Sequence, residues 1–571
     1  MRALIPRRSL QKLSVMAISL SVIGACSILP LSVDRRATAP VLDGFGATTL
    51  VPARANESAR RLFAQGMAQA YAFNRPEAIR AFKAALAQDR SCGMCAWGVA
   101  VQMGPNINSP KRGDLREASK YVDYAVRHRQ GASPRDLALI ESLALRYGHS
   151  AARTIAPPAG EICRTSLDDS APADPLDIAY ADYMRELVAR FPGDPDVLTH
   201  YAEAEMVATS GEWWDRITGK PKGRIGQLAN MVEAGLKAYP EHVGLNHYMI
   251  HVVDATPVAA RAEAAADRLG KLAPKSPHLL HMPSHTYAHL GRYADATRVN
   301  QQAVAADEAL FAELKQQNFA PTNMDWRPHN GHFQWYGALM EGRGELALES
   351  ARASAKRAKG DSEYGEYVRS LPMLTQLHLQ RWEELSKEPL PTGEQGIATV
   401  LGEMARGIAL VRKGEVIAAT AALERLKPKA KLLLAKHVGK GYIAKMLRGM
   451  VISAEAQLGA EIALAEGRVD EALTLQLQAA EAADFADSTE PPTLAGGPRQ
   501  RLGAMQLRAK RYAAAEQSYR ADLAIHPRNG WALNGLEKAL AAQGKQAEAQ
   551  GARRDLAGTW ALADTQARGV Q

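Results

Sequence analysis

Lys510-Arg511-Tyr512-Ala513-Ala514-Ala515-Glu516-Gln517-Ser518-Tyr519, running on to Pro527, is the stretch that decides the fold. Most of its residues are good helix formers, and Pro527 cannot continue a helix, so the segment reads as a helix with a defined end. Three small alanines lie between two tyrosines. Small side chains let a neighbouring helix approach closely, while the rings fill the gap beside them. The same wording recurs upstream. Ala78-Ile79-Arg80-Ala81-Phe82-Lys83-Ala84-Ala85-Leu86 sets Phe82 between small Ala78 and Ala85. His289-Leu290-Gly291-Arg292-Tyr293-Ala294-Asp295-Ala296 carries a Gly-x-Tyr-x-x-Ala turn, and Trp531 to Gly544 opens another copy. No copy can bury its apolar face alone, so the copies must stack.

From about residue 57 onward the copies return at a period near 34, that of tetratricopeptide (TPR) repeats. The expected fold is all-α, a right-handed TPR-type helical-repeat solenoid. Of 571 residues, 46% are apolar and 23% charged, a globular balance that argues against wholesale disorder. No alternating strand pattern is present, and no apolar run after residue 30 reaches the length of a membrane span. Three stretches break the rhythm. Residues 26–56, rich in Pro, Gly, Thr and Ala, read as a flexible tether. Residues 151–176 read as an irregular loop, and 311–327 as an insertion between repeats that covers one face as a lid. Repeats then occupy 57–343, the N-terminal and central part, and 344–571, the C-terminal part.

The first 25 residues read as an export signal of the lipoprotein type. Arg2, Arg7, Arg8 and Lys12 precede an apolar stretch from Leu13 to Ala25, and Ile23-Gly24-Ala25-Cys26 resembles a lipobox. This implies a protein exported to the periplasm or cell envelope, its only membrane attachment a lipid on Cys26; cleavage near Ala25 with an incidental cysteine is the other reading. The paired Arg7-Arg8 is compatible with twin-arginine export as well as the general route. Losing residues 1–25 removes four cations and no anion, so the formal charge falls from +9 to +5. That bias is mild, and without a dense basic block it gives no support to nucleic-acid binding. Cys92-Gly93-Met94-Cys95 is a CxxC pair that reads as a local disulfide, as packed thiols or as half of a soft-metal site.

Nine of the fifteen histidines lie between His242 and His332. Many are three or four apart, so they share helix faces. Pro240 and Pro274 end two repeats and place the next first helices at residues 243 and 277. Gly342 at a mid-repeat turn places a third at 328. Counted from those starts, His278 and His329 are second, His247, His281 and His332 fifth, His251 and His285 ninth, and His289 thirteenth. In TPR proteins these positions line the concave face, so the imidazoles form columns on neighbouring helices about 8–10 Å apart. Pro283 interrupts one column and is expected to turn His278 and His281 away from His285.

Neutral imidazoles crowded on one face need partners, and protonated ones repel; a metal ion removes both problems, and a pH-sensitive or anion-binding cluster is the rival reading. The candidate ligands are His247, His251, His281, His285, His329 and His332. All-imidazole ligation favours copper or zinc over oxygen-loving cations. Asp254 and Asp325 are the nearest carboxylates in sequence. Tyr248 follows His247, so the pattern is not HExxH and argues against a zincin peptidase. No Gly-rich phosphate loop or Gly-x-Ser-x-Gly elbow is present. Paired histidine sets resemble dinuclear copper sites in their chemistry, and no catalytic residue beyond the ligands stands out.

The chain also resembles a family of exported bacterial TPR proteins over nearly its whole length. The phrases that carry the likeness are Cys92 to Gly98 with Gly104-Pro105-Asn106-Ile107-Asn108; Asn246-His247-Tyr248 with His251; His281-Met282-Pro283-Ser284-His285 with Gly291-Arg292-Tyr293; and His329-Asn330-Gly331-His332-Phe333. The resemblance implies the TPR fold and export and carries no activity. After Glu490-Pro491-Pro492 this chain departs from it, with Thr493-Leu494-Ala495-Gly496 where the family has aromatic residues. Two functions are therefore expected to compete: a metal-dependent protein, with a copper-dependent oxidoreductase as its sharpest form, and a non-enzymatic scaffold holding a peptide or partner protein in the groove.

Overall fold

Phe82 shows how the helices are held. Its ring lies against Gly66 of the Glu57–Tyr71 helix and Gly98 of the Gly93–Met103 helix, where a methyl at either glycine would overlap it. Tyr519 does the same between Gly503 and Gly535 in the C-terminal half. The interlock of large ring and missing side chain brings three successive helices together, as the quoted sequence phrases require. Gly291 and Gly342 take positive φ values of 69° and 78° at turns between paired helices, a conformation that costs other residues a steric penalty.

The computed structural model describes residues 31–109, 113–148, 173–209, 213–215, 218–254, 257–321, 326–360, 362–438, 442–487 and 489–564. Among these the chain is helical throughout, with two isolated bridges and no strand. Helices follow one another as antiparallel neighbours, from the Glu57–Tyr71 and Arg75–Gln88 pair to the Gly530–Ala542 and Gln546–Thr559 pair. This is the helical-hairpin solenoid of the TPR type. No described helix is long and apolar enough to cross a membrane. Cys92 and Cys95 are joined as a disulfide. The export signal and Cys26 lie outside the described residues, as does most of the 151–176 loop.

Two expectations about connections are corrected. Residues 31–56 do not behave as a flexible tether: Leu42, Phe45 and Leu50 are buried in the first core, and the Thr48 hydroxyl donates to Asp196 at 3.1 Å. Three apolar anchors outweigh the loop-like composition. Nor is 311–327 wholly an insertion, because the helix that starts at Tyr293 runs on to Gln316. Trp326 beyond it is buried. Residues 322–325, including Asp325, lie outside the described set.

The apolar interior divides into two large clusters, one spanning Leu42 to Trp326 and one spanning Ala288 to Trp560. Within the second cluster the solenoid turns tightly enough for distant parts of the chain to meet. Tyr293 donates to the Pro527 carbonyl at 2.8 Å, and Trp531 to the Leu339 carbonyl at 2.8 Å. From the other side, the turn after the first helix reaches the Val243–Val253 helix, where His247 Nδ1 meets the Tyr71 carbonyl. The histidines sit at this seam.

Candidate metal centre

His247 and His251 lie four apart on the Val243–Val253 helix and so share a face. The next inner helix begins with Ser276, whose hydroxyl accepts from the Leu279 amide at 3.2 Å. Pro283 has no N–H to offer, and the helix divides there into Pro277–His281 and Pro283–His289. His278 precedes the break and His285 follows it. The Arg327–Met340 helix supplies His329.

These six form two triads, each with ligand nitrogens within 4.8 Å of one another. In the first, His247 Nε2 lies 3.1 Å from His278 Nε2 and 3.0 Å from His251 Nε2. Phe73 packs over all three rings, with centroids 4.4, 5.4 and 5.1 Å from those of His247, His251 and His278. In the second, His281 Nε2 lies 2.9 Å from His285 Nε2, and the His329 ring is 4.6 Å from that of His281. Phe333 packs against those three rings in turn. The triads are neighbours, His278 and His281 being 6.0 Å apart between ring centroids.

Five of the six expected ligands are thus brought together, and His278 is the sixth. His332 is a correction. Its Nε2 lies 2.7 Å from the Tyr367 hydroxyl, and its ring stacks on Trp335 away from both triads. The Pro283 break acts differently from expectation too: His281 and His285 remain paired across it, while His278, on the same side of the break as His281, joins the first triad. His289, at position thirteen, joins neither triad and pairs through Nε2 with Glu490 at 2.8 Å. Trp213, Trp214 and Trp335 donate to Met206, Val252 and Thr375, so their indoles serve the scaffold.

The partners behind the rings decide where their protons sit. His247 Nδ1 faces the Tyr71 carbonyl at 2.7 Å and must donate, leaving Nε2 a bare lone pair. Asn300 donates its own amide to Ala296 at 2.7 Å, so its oxygen accepts from His281 Nδ1 at 2.7 Å. His285 Nδ1 donates to Glu490, and a second carboxylate, Asp254, lies 2.9 Å from the same nitrogen. In the second triad His281 Nε2, left as an acceptor, therefore faces His285 Nε2 across 2.9 Å. His329 Nε2 is enclosed without a hydrogen-bond partner, although the residue itself lies at a partly open rim. A single proton would join one pair and leave His329 unsatisfied. A cation takes all three.

Electrostatics run the same way. Burial, then the neighbouring imidazoles, push His251, His278 and His329 well below the ordinary histidine range, and burial takes His247 down to about 3. These four rings are neutral at pH 7, the form that ligates metal. Asp254 is pushed up to about 7 by burial and by the adjoining Glu490. For Glu490, burial is outweighed by His285 and His289, which hold it well below the carboxylate range. Glu490 is the functional residue that sequence reading missed, and the phrase Glu490-Pro491-Pro492 was its only signal.

No family model and no curated protein matches the chain. Solved structures with a similar course include the APC/C hetero-tetramer Cut9–Hcn1, at 11% identity over 90% of this chain and 96% of that one, with a TM-score of 0.23. The TPR domain of P58(IPK) is also 11% identical, covering 85% and 98% of the two chains at a TM-score of 0.21. Yeast Tom70 is 13% identical over 80% and 90%, at 0.25. At such scores the repeat fold rests on the helices described above.

Proposed function

We propose that the two triads hold a pair of copper or zinc ions and that the protein, with copper, is a metal-dependent oxidoreductase. The supporting observation is the convergence of His281 Nε2 and His285 Nε2, 2.9 Å apart, beside the buried, unpartnered His329 Nε2. Nitrogens 3.0–3.1 Å apart in the first triad are close to the spacing of ligands that share one ion at about 2.0–2.1 Å. His247, His251 and His278 would hold one ion, and His281, His285 and His329 the other. Three protein ligands per ion leave coordination positions open, where copper would bind oxygen and exchange electrons and zinc would activate water. The protein's part is to orient the rings through Tyr71, Asn300, Asp254 and Glu490, and to keep water out with Phe73 and Phe333. Export with a lipid anchor at Cys26 belongs to this reading, as copper is most available outside the cytoplasm.

The test is metal analysis of protein purified without a histidine tag or a nickel column. About two equivalents of copper or zinc are expected, bound tightly enough to survive gel filtration. Less than a tenth of an equivalent, with no uptake on reconstitution, would end the proposal.

A second reading is favoured by the fold. Stacked helical hairpins build extended surfaces that hold other proteins, and a scaffold role suits them. Every residue of the Val243–Val253 helix is buried, with Phe73 over its histidines. A peptide or partner protein would therefore take another face of the solenoid than this part of the groove.

A further inference from the structure

A cavity of about 630 Å³, with no triad histidine in its lining, opens among the Glu363–His378, Ile397–Arg412, Gly497–Arg508 and Gly530–Ala542 helices. Arg412, Arg501, Arg508 and Lys538 line it, and among its described lining residues there is no Asp or Glu. The cations are poorly compensated. Arg501 directs Nε to the neutral Gln457 oxygen at 2.9 Å. Arg412 bonds Glu461 at 2.6 Å through one terminal nitrogen, but its Nε is buried without a partner. His378 Nε2, on the same wall, is also buried and unpartnered.

Burial, with Arg412 close by and only Glu461 opposing, pulls Arg501 down to about 10. A guanidinium so perturbed gains more from an added anion than from any neutral occupant. Trp382, Trp531 and Tyr519 supply ring surface to the same walls. The volume falls in the usual range of small-molecule sites, about 300–1,000 Å³.

We propose that this cavity binds a small organic oxyanion, its carboxylate or phosphate group on Arg501 and Arg412 and its apolar body against the tryptophans. The site is independent of the histidine triads.

The probe is phenyl phosphate, titrated calorimetrically into the full chain at low salt, with inorganic phosphate in parallel. Saturable one-to-one binding is expected, tighter for phenyl phosphate than for phosphate. Arg501→Gln should weaken it at least about tenfold, as loss of a charged hydrogen bond does. Lys538→Gln, at the half-buried wall, should weaken it less while keeping the helical circular dichroism, and stands in if Arg501→Gln fails to fold. The proposal is overturned by no saturation at ~10 mM probe. Affinity unchanged in both variants overturns it as well, and equal affinity for both probes removes the aromatic half of the site.

Discussion

The two histidine triads are made from the same residue at nearly the same spacing, yet they stand in different surroundings. The first is backed by one neutral partner, the Tyr71 carbonyl, and walled by Phe73 and by Trp326, whose ring lies 4.5 Å from that of His278. The second is backed by the Asn300 amide and by two carboxylates on His285. A carboxylate behind an imidazole raises its basicity and offsets the charge of a bound ion. The difference teaches that the triads are not interchangeable: the second suits a divalent ion, and the first suits an ion of lower charge or gives up a divalent one sooner.

The largest effect should come from deleting one ligand in each. His251→Ala is expected to lose about one equivalent of metal and His285→Ala about one, with helical content kept in both. If either variant lost both equivalents together, the triads would be one site and the comparison would break. Glu490→Gln should act next, weakening the second site by about 10–100-fold while leaving the first as it was. Competition with a graded chelator separates the two, and equal weakening of both sites would refute the role given to the carboxylate.

Acid tests the same contrast with a smaller lever. His247 and His332 are held at about 3 and His200 at about 4, each first by burial, against an ordinary 6.5. The unfolded chain takes up protons below that value which the folded chain refuses. Stability of the metal-free protein is therefore full above about pH 6.5 and lost as pH falls toward about 3. Urea midpoints at several pH values check this, and a flat profile would contradict the buried neutral rings. In the metal-bound protein the first site should empty at the higher pH, since no carboxylate there offsets the charge of the bound ion.

The repeat fold and the histidine columns were legible because both are periodic: ring, small residue and turn glycine recur with the hairpin, and ligands four apart mark one helix face. What escaped reading is what tertiary contact decides. Glu490 reaches His285 across 205 residues, a pairing no local pattern announces. Leu42, Phe45 and Leu50 lie in a stretch whose proline and glycine content resembles a tether, and only their burial shows them to be anchors. His278 stands in the right column, but which neighbouring histidines it joins is not readable from spacing alone. Its Nε2 meets His247 on the Val243–Val253 helix, while His281 pairs with His285.

His332 makes the smallest prediction and the one that isolates the criterion. It occupies the same repeat position as His247 and His281, so spacing alone ranks the three equally. Their hydrogen bonds do not. Tyr364 donates to His332 Nδ1 at 3.4 Å, while Nε2 donates at 2.7 Å to Tyr367, whose own proton goes to the Thr493 carbonyl at 2.9 Å. Both ring nitrogens are spent, and no lone pair remains for an ion. His332→Gln keeps a donor for Tyr367 and should leave both metal equivalents in place, at a stability cost of about 1 kcal/mol. Loss of metal from this variant would show that position in the repeat, rather than a free lone pair, selects the ligands, and His332 would return to the set from which its two tyrosines now exclude it.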